Sequence, residues 1–220
     1  MTPSIFLIDM DDTLYDEREY INAGYRAVAQ ELSKQTDIHT DTLYARLIYE
    51  HQKYGRYQVF NRLCEFAAIH DPDYHQLVTC YREAPRQLSL YTGAQEALKL
   101  LRSIAPVIVI TDGAIPMQQA KFKALKLAPL VDDVVYCWQE NKPKPSPMSF
   151  LGAIKEYRAT TEAALIVGDD PYHDGLASNA VGSQFCRVRT GKYSAVNLPG
   201  VIANIDLKSF AHLPEYLMNA

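Results

Sequence analysis

Two carboxylates stand two positions apart in Asp9-Met10-Asp11-Asp12-Thr13, directly after the apolar run Ile5-Phe6-Leu7-Ile8. Side-chain alternation puts Asp9 and Asp11 on the same side of the extended chain. Two acids held that close need a cation, a proton or a reaction to offset their repulsion. A solvated acidic turn after a strand would use the same residues, so this segment does not decide alone. Two further apolar runs end in reactive groups. Val107-Ile108-Val109-Ile110 leads into Thr111-Asp112-Gly113, a hydroxyl and a glycine. Ala163 to Gly168 leads into Asp169-Asp170, with Asp174 four residues beyond. Between them lies Asn141-Lys142-Pro143-Lys144-Pro145-Ser146-Pro147, which sets lysine in a proline-stiffened loop ahead of a helix.

The elements that must position these groups follow from the patterning. Short β-favouring runs ending in acid read as buried parallel strands. In an open α/β sheet, ligands sit beyond the carboxyl ends of such strands. Further strands are expected near 106–111, 133–136, 163–168 and 184–188. Helices are expected over 94–103 and near 116–126, 147–157 and 174–180. This alternation predicts an α/β fold with a right-handed, doubly wound parallel sheet. Residues 16–88 lack strand-like runs and read as helices over 17–34, 41–54, 57–69 and 74–86. Their starts are expected at Asp16, at Thr40 or Asp41, and at Asp71. The expected domains are a core of 1–15 with 89–220 and a helical insertion of 16–88. The tail from Asp206 to Ala220 reads as a short helix without chemistry.

At 220 residues there is room for one α/β core plus an insertion. A net charge of −4 offers no general attraction to nucleic acid or to an anionic membrane. No apolar run approaches the ~20 residues needed to span a bilayer, and Ser4 to Ile8 is too short for a signal-peptide core. The four cysteines, Cys64, Cys80, Cys137 and Cys186, are scattered without a C-x-x-C pair. Reduced thiols in a cytoplasmic protein are the expectation.

The order Asp-x-Asp-x-Thr, Thr, Lys, Gly-Asp-x4-Asp resembles the haloacid dehalogenase-like (HAD) hydrolase superfamily, from Ile5 to about Arg189. The resemblance implies a Rossmann-like core, and the helical insertion resembles a C1-type cap that excludes water from the site. It implies Asp9 as nucleophile and Asp11 as the group that protonates the leaving oxygen and then activates water. Thr13 would orient Asp11. Thr111 and the backbone N–H groups of Asp112 and Gly113 would bind phosphoryl oxygens. Lys142 would supply positive charge to the phosphate and to Asp9, with Lys144 as the rival. Three or four carboxylates facing one cavity call for a hard cation, and Mg2+ is the expected cofactor. The Asp9 side chain, the Asp11 carbonyl and Asp169 would ligate it, with Asp174 in a supporting place. Asp170 remains the alternative to Asp169.

The resulting expectation is a Mg2+-dependent phosphatase for a small phosphorylated metabolite, a sugar phosphate or a nucleotide, working as monomer or homodimer. Ten of the fifteen tyrosines fall within residues 15–91, so substrate selection is expected in the cap. A phosphomutase is disfavoured because Asp12-Thr13 follows where the mutase motif has glycine. A dehalogenase would leave Asp11 and Asp169 without a task. A phosphate-sensing regulatory protein would have no need of Asp11.

Overall fold

The computed structural model describes residues 2–219. Six strands form one sheet: β1 (Ile5–Ile8), β2 (Val107–Thr111), β3 (Asp133–Tyr136), β4 (Ala164–Gly168), β5 (Gln184–Val188) and β6 (Ile205–Leu207). Their order is β3-β2-β1-β4-β5-β6, and every pairing is parallel. This is a doubly wound, Rossmann-like sheet with its order reversing at β1. All residues of β1, β2 and β4 are buried, as befits parallel strands covered on both faces. One face packs Ile5, Leu7, Ile108, Ile110 and Ile166 against helices α7 (Met148–Glu156) and α8 (Leu176–Val181), through Phe150, Ile154, Ala177 and Val181. Helices α5 (Ala94–Arg102) and α6 (Ile115–Ala124) complete the crossovers around β2. β6 is a correction to the sequence reading, which gave Asp206 onward to a helix. At three residues, with only Ile205 fully buried, it carries too little pattern to stand out. The expected helix follows it as α9 (Leu213–Asn219).

Residues 18–87 form a second compact unit, while Met1–Glu17 joins Leu88–Ala220 in the first. The second unit is helical: α1 (Glu17–Ser33, whose first residue belongs to the sheet unit), α2 (Thr40–Tyr54), α3 (Val59–Phe66) and α4 (Tyr74–Glu83). Its core gathers Tyr25, Val28, Leu32, Leu43, Leu47, Leu63 and Leu77. Two helix starts differ from expectation. His39 caps α2, its ring accepting from the Asp41 N–H, and Asp73 caps α4 by accepting from Gln76 N–H at 2.9 Å. Either acceptor satisfies one of the orphan donors of a first turn. No helix among the described residues is long and apolar enough to cross a membrane. All four cysteines are free thiols.

Candidate active site

The sheet register brings three chain segments to one edge. Ile8 pairs with Val109 on one side and Val167 on the other. Asp9 continues the ladder, its N–H donating to the Val167 carbonyl at 2.8 Å. Thr111 therefore ends β2 on one flank, and Asp169 leaves β4 on the other. Carboxylate oxygens of Asp9, Asp169 and Asp174 all lie within 4.8 Å of one another. Glycine makes this approach possible, since a Cβ at Gly168 would stand 2.1 Å from Asp174 Oδ2.

The cation in this cluster is Lys144. Its Nζ lies 2.6 Å from Asp9 Oδ1 and 2.7 Å from Asp174 Oδ1, and the side chain is buried. The expectation placed Lys142 here, and the geometry corrects it. Lys142 stays beside the short 3-10 turn Cys137–Glu140, its N–H donating to the Cys137 carbonyl at 2.9 Å. Two residues later the loop has carried Lys144 across to β1. Both lysines precede a proline, so composition could not separate them.

Burial and mutual repulsion raise these acids. Burial chiefly pushes Asp9 up to about 8, Lys144 opposing and Asp174 and Asp11 adding to it. Burial, then Asp9 and Asp174, take Asp169 to about 10. Burial also lifts Asp174 against the pull of Lys144. Burial works against the Lys144 charge, but Asp174 and Asp9 outweigh it and hold the ammonium well above the usual lysine range. Ionised together, these three carboxylates would outnumber the one ammonium and leave a buried excess of negative charge. A hard divalent cation with oxygen ligands suits that donor set.

Asp170 points elsewhere. It accepts from the N–H groups of Tyr172 and His173 at the start of the π-helical turn Pro171–Gly175, and its Oδ2 meets His173 Nδ1 at 2.6 Å. Between the two adjacent acids, Asp169 is the one that joins the cluster. Asp174 belongs to it directly and is more central than the supporting place expected of it. Thr13 also differs from expectation: its Oγ1 accepts from the Asp169 N–H at 3.1 Å, tying the β1 loop to β4, while other side chains hold Asp11.

Those side chains are Tyr15, Gln118 and Lys121. Tyr15 donates to Asp11 Oδ1 at 2.5 Å, Gln118 Nε2 to Oδ2 at 2.7 Å, and Lys121 Nζ reaches both oxygens at 2.7 and 2.8 Å. Lys121 also meets Glu17 Oε1 at 3.1 Å. Burial opposes the Lys121 charge, yet Asp11 and Glu17 keep it above the usual lysine range. Sequence reasoning passed over Gln118 and Lys121. A signal was present: they stand on one side of α6 at helical spacing with Leu125, the residue that caps it, so two polar residues stand in the buried stripe.

The turn after β1 is also built tightly. Asp12 takes φ 59, accepts from the Glu17 N–H at 3.0 Å through Oδ1, and its carbonyl accepts from the Thr190 hydroxyl. Gly191, at φ +62, lies so close that a Cβ would stand 2.3 Å from the Asp12 side chain. Thr111 is buried at the end of β2, and Gly113 follows at φ +133. Asp112 Oδ1 is buried without a hydrogen-bond partner. Burial raises that carboxyl, with Lys144 and His173 opposing.

A family model described as haloacid dehalogenase-like hydrolase matches residues 3–182. The chain belongs to the haloacid dehalogenase-like hydrolases. Among curated relatives, this hydrolase is 26% identical over 208 residues to the glyceraldehyde 3-phosphate phosphatase of Pyrococcus furiosus, covering 88% of this chain and 84% of that protein. A shorter match, 40% over 77 residues, links it to the phospholysine phosphohistidine inorganic pyrophosphate phosphatase of Xenopus laevis; it covers 34% of this hydrolase and 28% of the relative. Among solved structures, the HAD-hydrolase YfnB of Bacillus subtilis, bound to magnesium, superposes with a TM-score of 0.77 at 18% identity over 99% of each chain. At that identity the likeness speaks for the fold.

Proposed function

We propose that this hydrolase is a Mg2+-dependent phosphatase for a small phosphorylated metabolite, acting through an aspartyl-phosphate on Asp9. The observation that carries this is the division of two carboxylates. Asp9 sits with Asp169, Asp174 and the Lys144 ammonium, while Asp11, two residues on, is held apart by Tyr15, Gln118 and Lys121. One acid is set as nucleophile and the other as proton carrier, the two roles phosphoryl transfer requires.

Asp9 attacks phosphorus as the bond to the leaving oxygen breaks, and Asp11 gives that oxygen its proton. Water then attacks the aspartyl-phosphate, Asp11 takes a proton from it, and Asp9 and inorganic phosphate are released. Thr111 and the N–H groups of Asp112 and Gly113 hold phosphoryl oxygens, and Lys144 neutralises charge between Asp9 and the phosphate. Asp9, Asp169 and the Asp11 carbonyl would hold Mg2+, with Asp174 alongside. The ion supplies charge neutralisation for the phosphoryl oxygens and keeps Asp9 ionised.

The relatives named for glyceraldehyde 3-phosphate favour small sugar phosphates as substrates. We assign the helical unit, residues 18–87, the role of a C1-type cap that selects among them. The test is a hydrolysis screen of sugar phosphates, nucleotides and small phosphorylated acids with Mg2+ and with EDTA. Mg2+-dependent release of phosphate from at least one class is expected. Turnover undiminished in EDTA, or release of halide from a 2-haloacid without phosphate release, would refute the reading.

A further inference from the structure

Gln118 and Lys121 are each 2% exposed, in a stripe where a crossover helix would present apolar groups. Burying an amide and an ammonium is costly unless their partners are well placed. Gln118 Nε2 lies 2.6 Å from Thr111 Oγ1, 2.7 Å from Asp11 Oδ2 and 2.9 Å from the Asp112 carbonyl oxygen. The Asp112 carbonyl can only accept, so the amide nitrogen, not its oxygen, must face this cluster. The Thr111 hydroxyl therefore accepts from Gln118, and its own hydrogen is directed elsewhere. Two N–H bonds are shared among three acceptors on the two chain segments that leave β1 and β2. The far side of Asp11 is closed by Lys121 and Tyr15.

We propose that Gln118 is a positioning residue for phosphoryl transfer. It turns the Thr111 hydroxyl hydrogen toward the phosphoryl oxygen and holds the Asp11 carboxylate at a fixed place relative to that hydroxyl. This inference rests on the phosphatase reading. A phosphoryl oxygen gripped by Thr111 and a leaving oxygen served by Asp11 belong to one substrate, so the two subsites must keep one spacing. Gln118 touches both groups and bridges them in a single step. Lys121 braces Asp11 from behind and leaves the amide to set the spacing.

Two variants of similar size test this: Gln118→Met, which lacks the donor, and Gln118→Glu, which sets a carboxylate against Asp11. Each is assayed with Mg2+ for kcat on an alkyl and an aryl phosphate, for inhibition by orthovanadate, and for thermal melting. A role in packing alone lowers the melting temperature and scales both substrates together. The positioning role predicts that Gln118→Met loses about tenfold or more on the alkyl ester relative to the aryl ester. Its orthovanadate inhibition constant should rise by about tenfold, the scale of a lost hydrogen bond to a charged group. Gln118→Glu should lose more on both measures. A Gln118→Met protein with the wild-type alkyl-to-aryl ratio and wild-type orthovanadate inhibition overturns the inference, whatever its melting temperature. Should Gln118→Met not fold, Gln118→Asn, too short to bridge Asp11 and Thr111, decides by the same two readouts. A wild-type protein that hydrolyses neither ester fails the phosphatase reading itself, and is told apart from failure at Gln118 before any variant is made.

Discussion

Replacing Lys144 by Met keeps most of the side-chain volume and removes the ammonium from between Asp9 and Asp174. At 2.6 Å and an effective dielectric of about 20, its attraction to Asp9 is about 6 kcal/mol before desolvation. The contact with Asp174, at 2.7 Å, is of similar size. Desolvation of three buried charges offsets much of this. The net cost of removing one partner from such a buried set is about 3–5 kcal/mol. For a chain of this length that is a fall of about 6–20 °C in melting temperature. The sign with pH follows from the acids left behind. Their folded-state pKa values already lie above the unfolded value, and losing Lys144 raises them further. The variant's deficit should therefore be smaller near pH 5, where Asp9 stays protonated, and grow as pH rises. Loss of charge stabilisation should lower kcat by about 10²–10³-fold. Steady-state kinetics on an aryl phosphate with Mg2+, beside melting curves at pH 5, 7 and 9, measure all three. Lys142→Met is the control. Its backbone N–H bond to Cys137 survives substitution, and its loss of kcat should be far smaller than that of Lys144→Met. A Lys142→Met protein that loses more activity than Lys144→Met, or a Lys144→Met protein with wild-type kcat and melting, refutes the assignment.

Asp9→Asn should abolish turnover in a folded protein, because an amide is a poor nucleophile; near wild-type hydrolysis would end the covalent mechanism. Asp11→Asn should slow alkyl phosphates far more than aryl phosphates, by up to the roughly 10²–10⁴-fold that general acid catalysis provides. Equal losses would give Asp11 another task. In EDTA, Asp9 at about 8 and Asp169 at about 10 hold protons that the unfolded chain has lost above about pH 4. The melting temperature in chelator should therefore fall as pH rises through that window, with Mg2+ restoring most of it at pH 8 and above; a flat profile in chelator, or no effect of Mg2+, contradicts the cluster. Substituting Tyr57, the most exposed tyrosine of the helical unit, should alter KM and the ranking of sugar phosphates while sparing a small aryl phosphate. An unchanged ranking counts against selection by that unit.

The fold was legible because β1, β2 and β4 are short apolar runs buried along their whole length, and each leads to a chemically distinctive residue. Parallel pairing then places those ends on one edge, so the sequence alone groups Asp9, Thr111 and Asp169. Groups brought in by loops were harder. Lys142 and Lys144 both precede a proline, and the conformation of Asn141–Pro147 decides which one reaches β1. Asp169 and Asp170 are separated by a different local effect, since the turn at Pro171–Gly175 needs a carboxylate to cap it and Asp170 provides that oxygen.

The brace around Asp11 was missed for a third reason. A reading that looks for reactive groups at strand ends does not ask what stands behind them. Gln118 and Lys121 lie in a helix interior, where polar residues pass as solvated face unless the buried stripe is traced first. Tracing it shows Gln118, Lys121 and Leu125 on one line, and burial without partners would make that line untenable. The partner had to be anionic and near the start of α6, and the acid next to the nucleophile is the candidate at that edge of the sheet. The same residues that stand out as faults in helix patterning thus identify what holds Asp11 in place.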